Sequence, residues 1–246
     1  MKNTYLHIAK TLSTNTLMAE MLSAGALKSG FVIVADFQLA GRGQANSLWE
    51  SAVGKNLMFS ILYRPKDLPA EESFIISQTA ALAVKTILDN EIADSAAERF
   101  SVKWANDIYF NDKKICGILI ENTLQQGMVK HSIIGIGINV NQTVFPGNAP
   151  NPVSLSQITG RSHYLDIILR RTCEKITSLL ENNNYHEIRT DYFNSLYRRN
   201  GFYPFQTQNG ETFSAKIFSI ENDGKLILET EEGKKREFYF KEVKFM

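Results

Sequence analysis

The chain has 246 residues, of which 43% are hydrophobic and 22% charged, a composition typical of a folded protein with a sizeable core. Its 27 Lys and Arg residues against 26 Asp and Glu residues leave a net charge of +1, which argues against a nucleic-acid-binding arm or a polybasic tail. The N-terminus lacks an apolar signal segment, and no apolar run approaches the roughly 18 residues of a membrane span. We therefore expect a cytoplasmic protein without a membrane anchor.

The two cysteines, Cys116 and Cys173, have neither the spacing of zinc ligands nor that of a disulfide framework. We expect both to be buried thiols in a reducing compartment.

The first ninety or so residues predict strands and helices separated by one long loop. Ser13 supplies capping chemistry for a helix that ends near Gly25, and Pro69 opens a second helix. Strands are predicted over residues 5–9, 31–36 and 57–63. The connection over residues 37–56 is longer than most loops in compact domains, and such loops are usually functional.

A block without helical periodicity follows, and it predicts a strand meander with two hairpins. Its strands are predicted over residues 100–104, 108–110, 114–122 and 129–139, with turns at 111–112 and 125–127. After a loop over residues 140–152, apolar residues at helical spacing predict helices over residues 165–180 and 188–196.

Past Arg199 the pattern changes to short alternating strands around residues 213–217, 226–228 and 238–240. We place a domain boundary there, between a first domain of residues 1–198 and a second of residues 199–246. Because the first domain has strands in runs and helices in runs, we predict an α+β sheet backed by helices rather than a regular βαβ alternation.

Three clusters in the first domain could bind a ligand. Gly41-Arg42-Gly43 lies in the long loop, where glycines let backbone N–H groups converge on an anion and a guanidinium binds carboxylate or phosphate oxygens. The segment from Lys103 to Asp107 lies between two strands, and Gly117 interrupts the strand that follows Lys114. A glycine inside a strand often marks a bulge or the close approach of a ligand. Each cluster taken alone is also compatible with an ordinary turn or hairpin.

Taken together, the clusters form five ordered motifs. They are Ser13-Thr14-Asn15, Gln38-x-x-Gly41-Arg42-Gly43, Lys103-Trp104-x-Asn106-Asp107, Lys114-x-x-Gly117-Ile118-Leu119-x-Glu121 and Gly135-x-Gly137-x-Asn139. This order resembles that of the biotin protein ligases, also called biotin–[acetyl-CoA carboxylase] ligases. The resemblance extends by motif from Ser13 to Asn139 and by layout through the C-terminal segment.

The resemblance implies a catalytic domain like the class II aminoacyl-tRNA synthetase core, followed by a small SH3-like β-barrel. It implies an enzyme that joins biotin to ATP, with Mg²⁺, to give biotinyl-5′-AMP and pyrophosphate. The biotinyl group would then pass to one lysine of a biotin carboxyl carrier domain of a biotin-dependent carboxylase. Some members carry an N-terminal DNA-binding domain, but only twelve residues precede Ser13, so we expect no DNA partner. A homodimer is left open.

By resemblance, two sets of residues would form the site. Those around biotin would be Ser13, Thr14, Asn15, Gln38, Gly41, Arg42, Gly43, Gln44, Lys114 and Gly117. Those facing ATP or the adenylate would be Arg42, Gln44, Trp49, Lys103, Asn106, Asp107, Lys114 and Asn139. Arg42, Lys114 and Asp107 would carry the chemistry, because an anionic carboxylate must approach an anionic phosphate. Asp107 could serve Mg²⁺, the nucleotide or the incoming lysine.

The sequence departs from the family pattern in the long loop. Many members continue with further arginines, whereas this chain reads Gln44-Ala45-Asn46-Ser47, so we expect it to hold its adenylate less tightly. Ala105 replaces the usual proline, and we expect a modest effect on stability. The alternatives are a lipoate ligase or octanoyl transferase on a related core, a non-catalytic biotin-binding or regulatory protein, and an α+β interaction domain without a small ligand.

Overall fold

A seven-stranded sheet organises the first part of the chain in a computed structural model, which describes residues 1–43, 48–92, 99–147 and 150–246. Its strand order is β1-β2-β3-β7-β6-β5-β4, and β1 pairs in parallel with β2, whereas the other pairs are antiparallel. The strands are β1 (Thr4–Thr11), β2 (Phe31–Gln38), β3 (Leu57–Tyr63), β4 (Phe100–Lys103), β5 (Asp107–Phe110), β6 (Lys113–Gln125) and β7 (Met128–Ile138). The predicted strands and the meander are confirmed.

The hairpin turns form where the sequence predicts them. Asn111 connects β5 to β6 with φ of 52°, and Gln126 and Gly127 connect β6 to β7 with φ of 52° and 77°. Two successive residues with positive φ give a turn whose twist matches that of the flanking strands. The turn pairs Gln125 with Met128, and a bulge between Thr123 and Leu124 then shifts the register so that Gly117 pairs with Gly137 and Leu119 with Gly135.

Helices cover both faces of this sheet. They are α1 (Thr14–Ala24), α2 (Phe74–Asp89), α3 (Leu155–Thr159), α4 (Leu165–Asn182) and α5 (Tyr185–Asn194). Met18 of α1 packs against Ile33, Leu62 and Ile133 on one face, whereas α2, α4 and α5 pack on the other. Side chains alternate across a strand, so neighbouring strand residues belong to different cores. The expectation of an α+β sheet backed by helices is confirmed.

Two helical features differ from the prediction. The segment after Pro69 first forms a 3₁₀ turn over Ala70–Glu72, and the α-helix begins only at Phe74. No element was predicted at the short helix α3, although Ser154 and Gln157 form a reciprocal capping box at its start. At five residues, it is too short for helical periodicity to reveal it.

The C-terminal residues form a five-stranded antiparallel sheet of order β11-β10-β9-β8-β12. Its strands are β8 (Tyr203–Thr207), β9 (Thr212–Ile220), β10 (Leu226–Thr230), β11 (Lys235–Phe238) and β12 (Val243–Phe245). The sequence predicted β9, β10 and β11 approximately, but it missed β8, which contains Pro204, and β12, which has three residues.

The two sheets share apolar contacts. Phe205 and Leu226 belong to the same buried cluster as Trp104, and the Trp104 Nε1 atom donates to the Gly224 carbonyl at 2.9 Å. The domain boundary near Arg199 stays a prediction. Within the described part of the chain, each helix is either too short or too polar to cross a lipid bilayer.

Candidate active site

A cavity of about 150 Å³ opens over the middle of strands β6 and β7, where the side chains of the sheet give way to glycines. Gly117, Gly135 and Gly137 form its floor and leave space above the backbone. Eleven of the predicted site residues line it: Ser13, Thr14, Asn15, Gln38, Arg42, Gly43, Trp49, Asn106, Asp107, Lys114 and Gly117. Segments far apart in sequence therefore meet at one place.

One end of the cavity is a buried polar network at the start of α1. The Thr14 backbone N–H donates to Gln38 Oε1 at 2.7 Å, and the Ser60 hydroxyl lies 2.6 Å from Asn15 Oδ1. Thr14, Asn15 and Ser60 are all less than 5% exposed. Ser13 precedes the helix with extended backbone and makes no side-chain capping bond. Fixed amide and hydroxyl groups of this kind can recognise a small polar ring.

The other end of the cavity carries an ion pair. Lys114 Nζ lies 2.7 Å from Asp107 Oδ1, and both side chains are about one-quarter exposed, at 29% and 24%. Asp107 pairs with Gly117 across β5 and β6, so the strand register holds the carboxylate over the glycine floor. The Asn106 amide donates to the Ile118 carbonyl and fixes the turn before Asp107. An ammonium in this place can bind an anionic substrate.

Trp49 covers the glycine floor. A Cβ atom on Gly137 would lie within 3 Å of the indole, and one on Gly117 would lie 3.2 Å from it. The Trp49 Nε1 atom is buried and has no hydrogen-bond partner among the described residues. A buried unpaired donor costs about 1–3 kcal/mol, which an acceptor on a ligand would recover. Ordinary ligand sites measure about 300–1,000 Å³, and this cavity, with the indole over its floor, is smaller.

Arg42 lies at the edge of the cavity. Its Nη2 atom donates to Thr16 Oγ1 at 3.1 Å and to Glu121 Oε1 at 3.4 Å. Gly41 does not line the cavity, but a side chain there would clash with the Trp49 carbonyl, and the Trp49 N–H donates to the Gly41 carbonyl at 2.8 Å. The predicted contact of Gln44, and the non-basic segment 44–47, lie outside the described residues.

Two predicted nucleotide contacts lie outside the cavity lining. Lys103 Nζ donates to Tyr109 Oη at 3.0 Å, and burial lowers the pKa of this lysine, although the nearby Asp107 opposes the shift. The Asn139 amide is buried and donates to the Val153 carbonyl at 3.2 Å. The contacts of Lys103 and Asn139 with ATP stay predictions.

Several residues of the cavity were not predicted. Leu48 belongs to the long loop, and Phe240 and Lys241 come from the connection between β11 and β12 in the C-terminal sheet. Ser60 and Glu121 support the polar end through hydrogen bonds to Asn15. Glu121 is part of a recognised motif, so its motif position was a signal, whereas no local pattern indicated Phe240 or Lys241.

The described residues contain no group of three Asp, Glu, His or Cys side chains arranged to hold a metal ion. Asp107 supplies a carboxylate oxygen at the cavity, which suits Mg²⁺. Because Mg²⁺ commonly binds through one or two carboxylates, substrate phosphates and water, this donor set fits an ion that arrives with a nucleotide.

Comparisons with known proteins agree on one family. Residues 8–139 match the family described as "Biotin/lipoate A/B protein ligase family". The bifunctional ligase/repressor BirA of Bacillus subtilis is 33% identical over 238 residues, covering 92% of this chain and 69% of that protein. The biotin–[acetyl-CoA-carboxylase] ligase of Paracoccus denitrificans is 31% identical over 90% of this chain and 92% of its own length.

A solved structure extends the similarity to the whole fold. The biotin protein ligase from Aquifex aeolicus in complex with biotin and ATP superposes with a TM-score of 0.77 and 26% sequence identity. The match covers 100% of both chains, including the C-terminal sheet.

Proposed function

This chain belongs to the biotin/lipoate A/B protein ligase family, and from that premise we propose that it is an ATP-dependent biotin protein ligase. The enzyme joins biotin and ATP to form biotinyl-5′-AMP and transfers the biotinyl group to a lysine of a carboxylase carrier domain. One observation carries the proposal: a single cavity joins the buried polar network around Asn15 to the Lys114–Asp107 pair. The first can hold the head of an acid, and the second can serve its activated carboxylate.

The first half-reaction requires positive charge at the cavity, because it brings two anionic groups together. The biotin carboxylate oxygen attacks the α-phosphorus of ATP, and the bond from that phosphorus to the bridging oxygen breaks to release pyrophosphate. Two unit charges 4 Å apart repel by about 4 kcal/mol at an effective dielectric constant of about 20. Lys114 and Arg42 supply cations at the cavity, and Lys241 adds a third from the C-terminal sheet.

Asp107 carries the finer part of the mechanism. Its contact with Lys114 holds the ammonium over the floor. The same carboxylate would serve Mg²⁺ or the amine of the incoming lysine. Mg²⁺ would neutralise phosphate charge and improve pyrophosphate as a leaving group. In the second half-reaction, the lysine amine attacks the acyl carbon of the adenylate, AMP leaves, and one proton is lost from the amine.

The fold expectations are part of the same proposal. The mixed seven-stranded sheet with helices on both faces supports a core like that of class II aminoacyl-tRNA synthetases. The five-stranded antiparallel sheet supports an SH3-like barrel for residues 199–246. Phe240 and Lys241 give this barrel a role at the cavity. A homodimer stays a prediction, which sedimentation velocity with and without biotin and ATP would test.

The test is exchange of labelled pyrophosphate into ATP by the purified protein with magnesium, with biotin, lipoate and octanoate compared as the acid. Biotin-dependent exchange supports the proposal. Exchange with lipoate alone indicates a lipoate ligase, and no exchange by folded protein with any acid indicates an octanoyl transferase or a non-catalytic binding protein. Transfer to an isolated carrier domain, followed by mass spectrometry, then tests the second half-reaction.

A further inference from the structure

Glu121 connects two residues of the cavity without lining the cavity itself. Its Oε2 atom accepts a hydrogen bond from Asn15 Nδ2 at 2.7 Å, and its Oε1 atom lies 3.4 Å from Arg42 Nη2. Glu121 lies in a neighbouring hollow of about 500 Å³, which Asn15 and Arg42 separate from the cavity. The carboxylate is therefore connected to the cavity through these two side chains.

The bond to Asn15 fixes the orientation of its amide. A carboxylate only accepts hydrogen bonds, so the NH₂ end of the amide must face Glu121, and Asn15 Oδ1 must face the Ser60 hydroxyl. Gly135 leaves the space for this arrangement, because a Cβ atom there would lie within 3 Å of the Asn15 amide. The donor and acceptor pattern that Asn15 offers to a ligand therefore depends mainly on the acceptor oxygen of Glu121, with a longer contact of 3.4 Å to the Leu119 carbonyl.

The bond to Arg42 is weaker and easier to change. The Arg42 and Glu121 side chains are 46% and 38% exposed, and an exposed ion pair contributes about 0–1 kcal/mol. Thr16 of α1 holds the same guanidinium nitrogen at 3.1 Å. Arg42 is therefore restrained between α1 and β6 but remains able to move.

We propose that Glu121 is a positioning residue that couples acid recognition by Asn15 to the placement of the Arg42 cation. The inference rests on the proposed biotin ligase function. One carboxylate oxygen orients the amide that contacts the acid head, while the other holds the guanidinium at the edge where the negative charges of the two substrates meet. The orientation of bound biotin and the position of the Arg42 guanidinium then both depend on the Glu121 side chain.

Two substitutions separate the two contacts. Glu121→Gln keeps the length of the side chain and one acceptor oxygen. That oxygen should face Asn15, because the contact with Asn15 is the shorter of the two. The new NH₂ group then faces Arg42 and cannot accept a hydrogen bond from it. Glu121→Ala removes both contacts. Glu20→Gln removes an exposed carboxylate from α1 and serves as the matched control. Thermal denaturation of each variant reports its folding.

The readout is the Michaelis constant for biotin and kcat in biotin-dependent pyrophosphate exchange. A charged hydrogen bond contributes about 1.5–3 kcal/mol, so Glu121→Ala should raise KM for biotin about tenfold or more and lower kcat. Glu121→Gln should leave KM within about threefold and lower kcat by up to about fivefold, which is part of the loss in Arg42→Ala. Adding Arg42→Ala should lower kcat by a smaller factor in the Glu121→Gln background than in the wild type, because coupled residues are not additive.

The outcomes distinguish this inference from the function on which it rests. An equal loss of kcat on adding Arg42→Ala in both backgrounds, or an unchanged KM in Glu121→Ala, overturns the coupling while biotin ligase activity stands. If the wild-type protein shows no biotin-dependent exchange, both proposals are overturned. A purely structural role would lower the melting temperature of both Glu121 variants without separating KM from kcat.

Discussion

Gly135→Ala tests whether the Asn15 amide is locked above the sheet. The added Cβ atom would lie within 3 Å of Asn15 Oδ1, and Asn15 is 3% exposed and bonded to both Ser60 and Glu121. The methyl group must therefore displace a fixed side chain rather than a flexible one. Gly135 is absent from the positive-φ positions, so the backbone itself accepts alanine.

The magnitude follows from two opposing terms. Alanine restricts the unfolded chain and stabilises the fold by about 0.4–1 kcal/mol. Overpacking a fixed core site costs about 1–3 kcal/mol, and a lost hydrogen bond about 1 kcal/mol more. The net loss of about 1–3 kcal/mol should lower the melting temperature by roughly 2–12 °C for a chain of this size. Biotin binding should weaken at the same time, because the displaced amide belongs to the polar end of the cavity.

The assays are thermal denaturation for the melting temperature, urea denaturation for the free energy of unfolding, and calorimetry for biotin binding. Gly117→Ala is the matched control, because its nearest neighbours are the ring edge of Trp49 and the end of Lys114, at 3.2–3.4 Å. At these distances each neighbour needs to shift by only a few tenths of an ångström, so we expect a stability change within about 0.5 kcal/mol. Wild-type stability and biotin affinity in Gly135→Ala would refute the claim that Asn15 is locked.

Four further predictions concern charge, the C-terminal sheet and pH. Lys114→Ala should lower kcat for pyrophosphate exchange about 10²–10³-fold, whereas Lys113→Ala, at an exposed neighbour, should match the wild type; equal activity of the two variants would exclude a role for Lys114. Removal of residues 200–246 should spare biotin binding and weaken carrier modification. Lys241→Ala, which keeps the shared apolar core, should raise KM for ATP or the carrier without changing KM for biotin. Unchanged kinetics in both variants would contradict this role of the C-terminal sheet. Because Gln44-Ala45-Asn46-Ser47 carries no cation, the adenylate should dissociate quickly in a single-turnover release experiment, and loss over hours would count against that reasoning. Burial lowers the pKa of His163 from 6.5, with Glu91 opposing the shift. As the pH falls, the unfolded chain therefore gains a proton before the folded chain does, and the free energy of unfolding should fall below about pH 6.5. His163→Gln should reduce the difference in the free energy of unfolding between pH 7 and pH 5, measured by urea titration.

Local patterns in the sequence were enough for much of the fold. The period-two strands, the turn residues at positions 111 and 126–127, and the amphipathic face of α4 depend on near neighbours, and each formed as predicted. The same patterns missed α3, β8 and β12, because these elements are too short or contain a proline. The five motifs also identified the family that the comparisons confirm.

The sequence by itself determined which chemical groups are present, and only the tertiary structure decided which of them meet. Asn15 and Glu121 are 106 positions apart, and Trp104 reaches Gly224 across 120 positions. No short-range period carries such contacts, since they arise when sheet register and helix packing bring distant segments together. The same cause placed Trp49 over the glycine floor and brought Phe240 and Lys241 to the cavity, while Lys103 and Asn139 lie outside its lining.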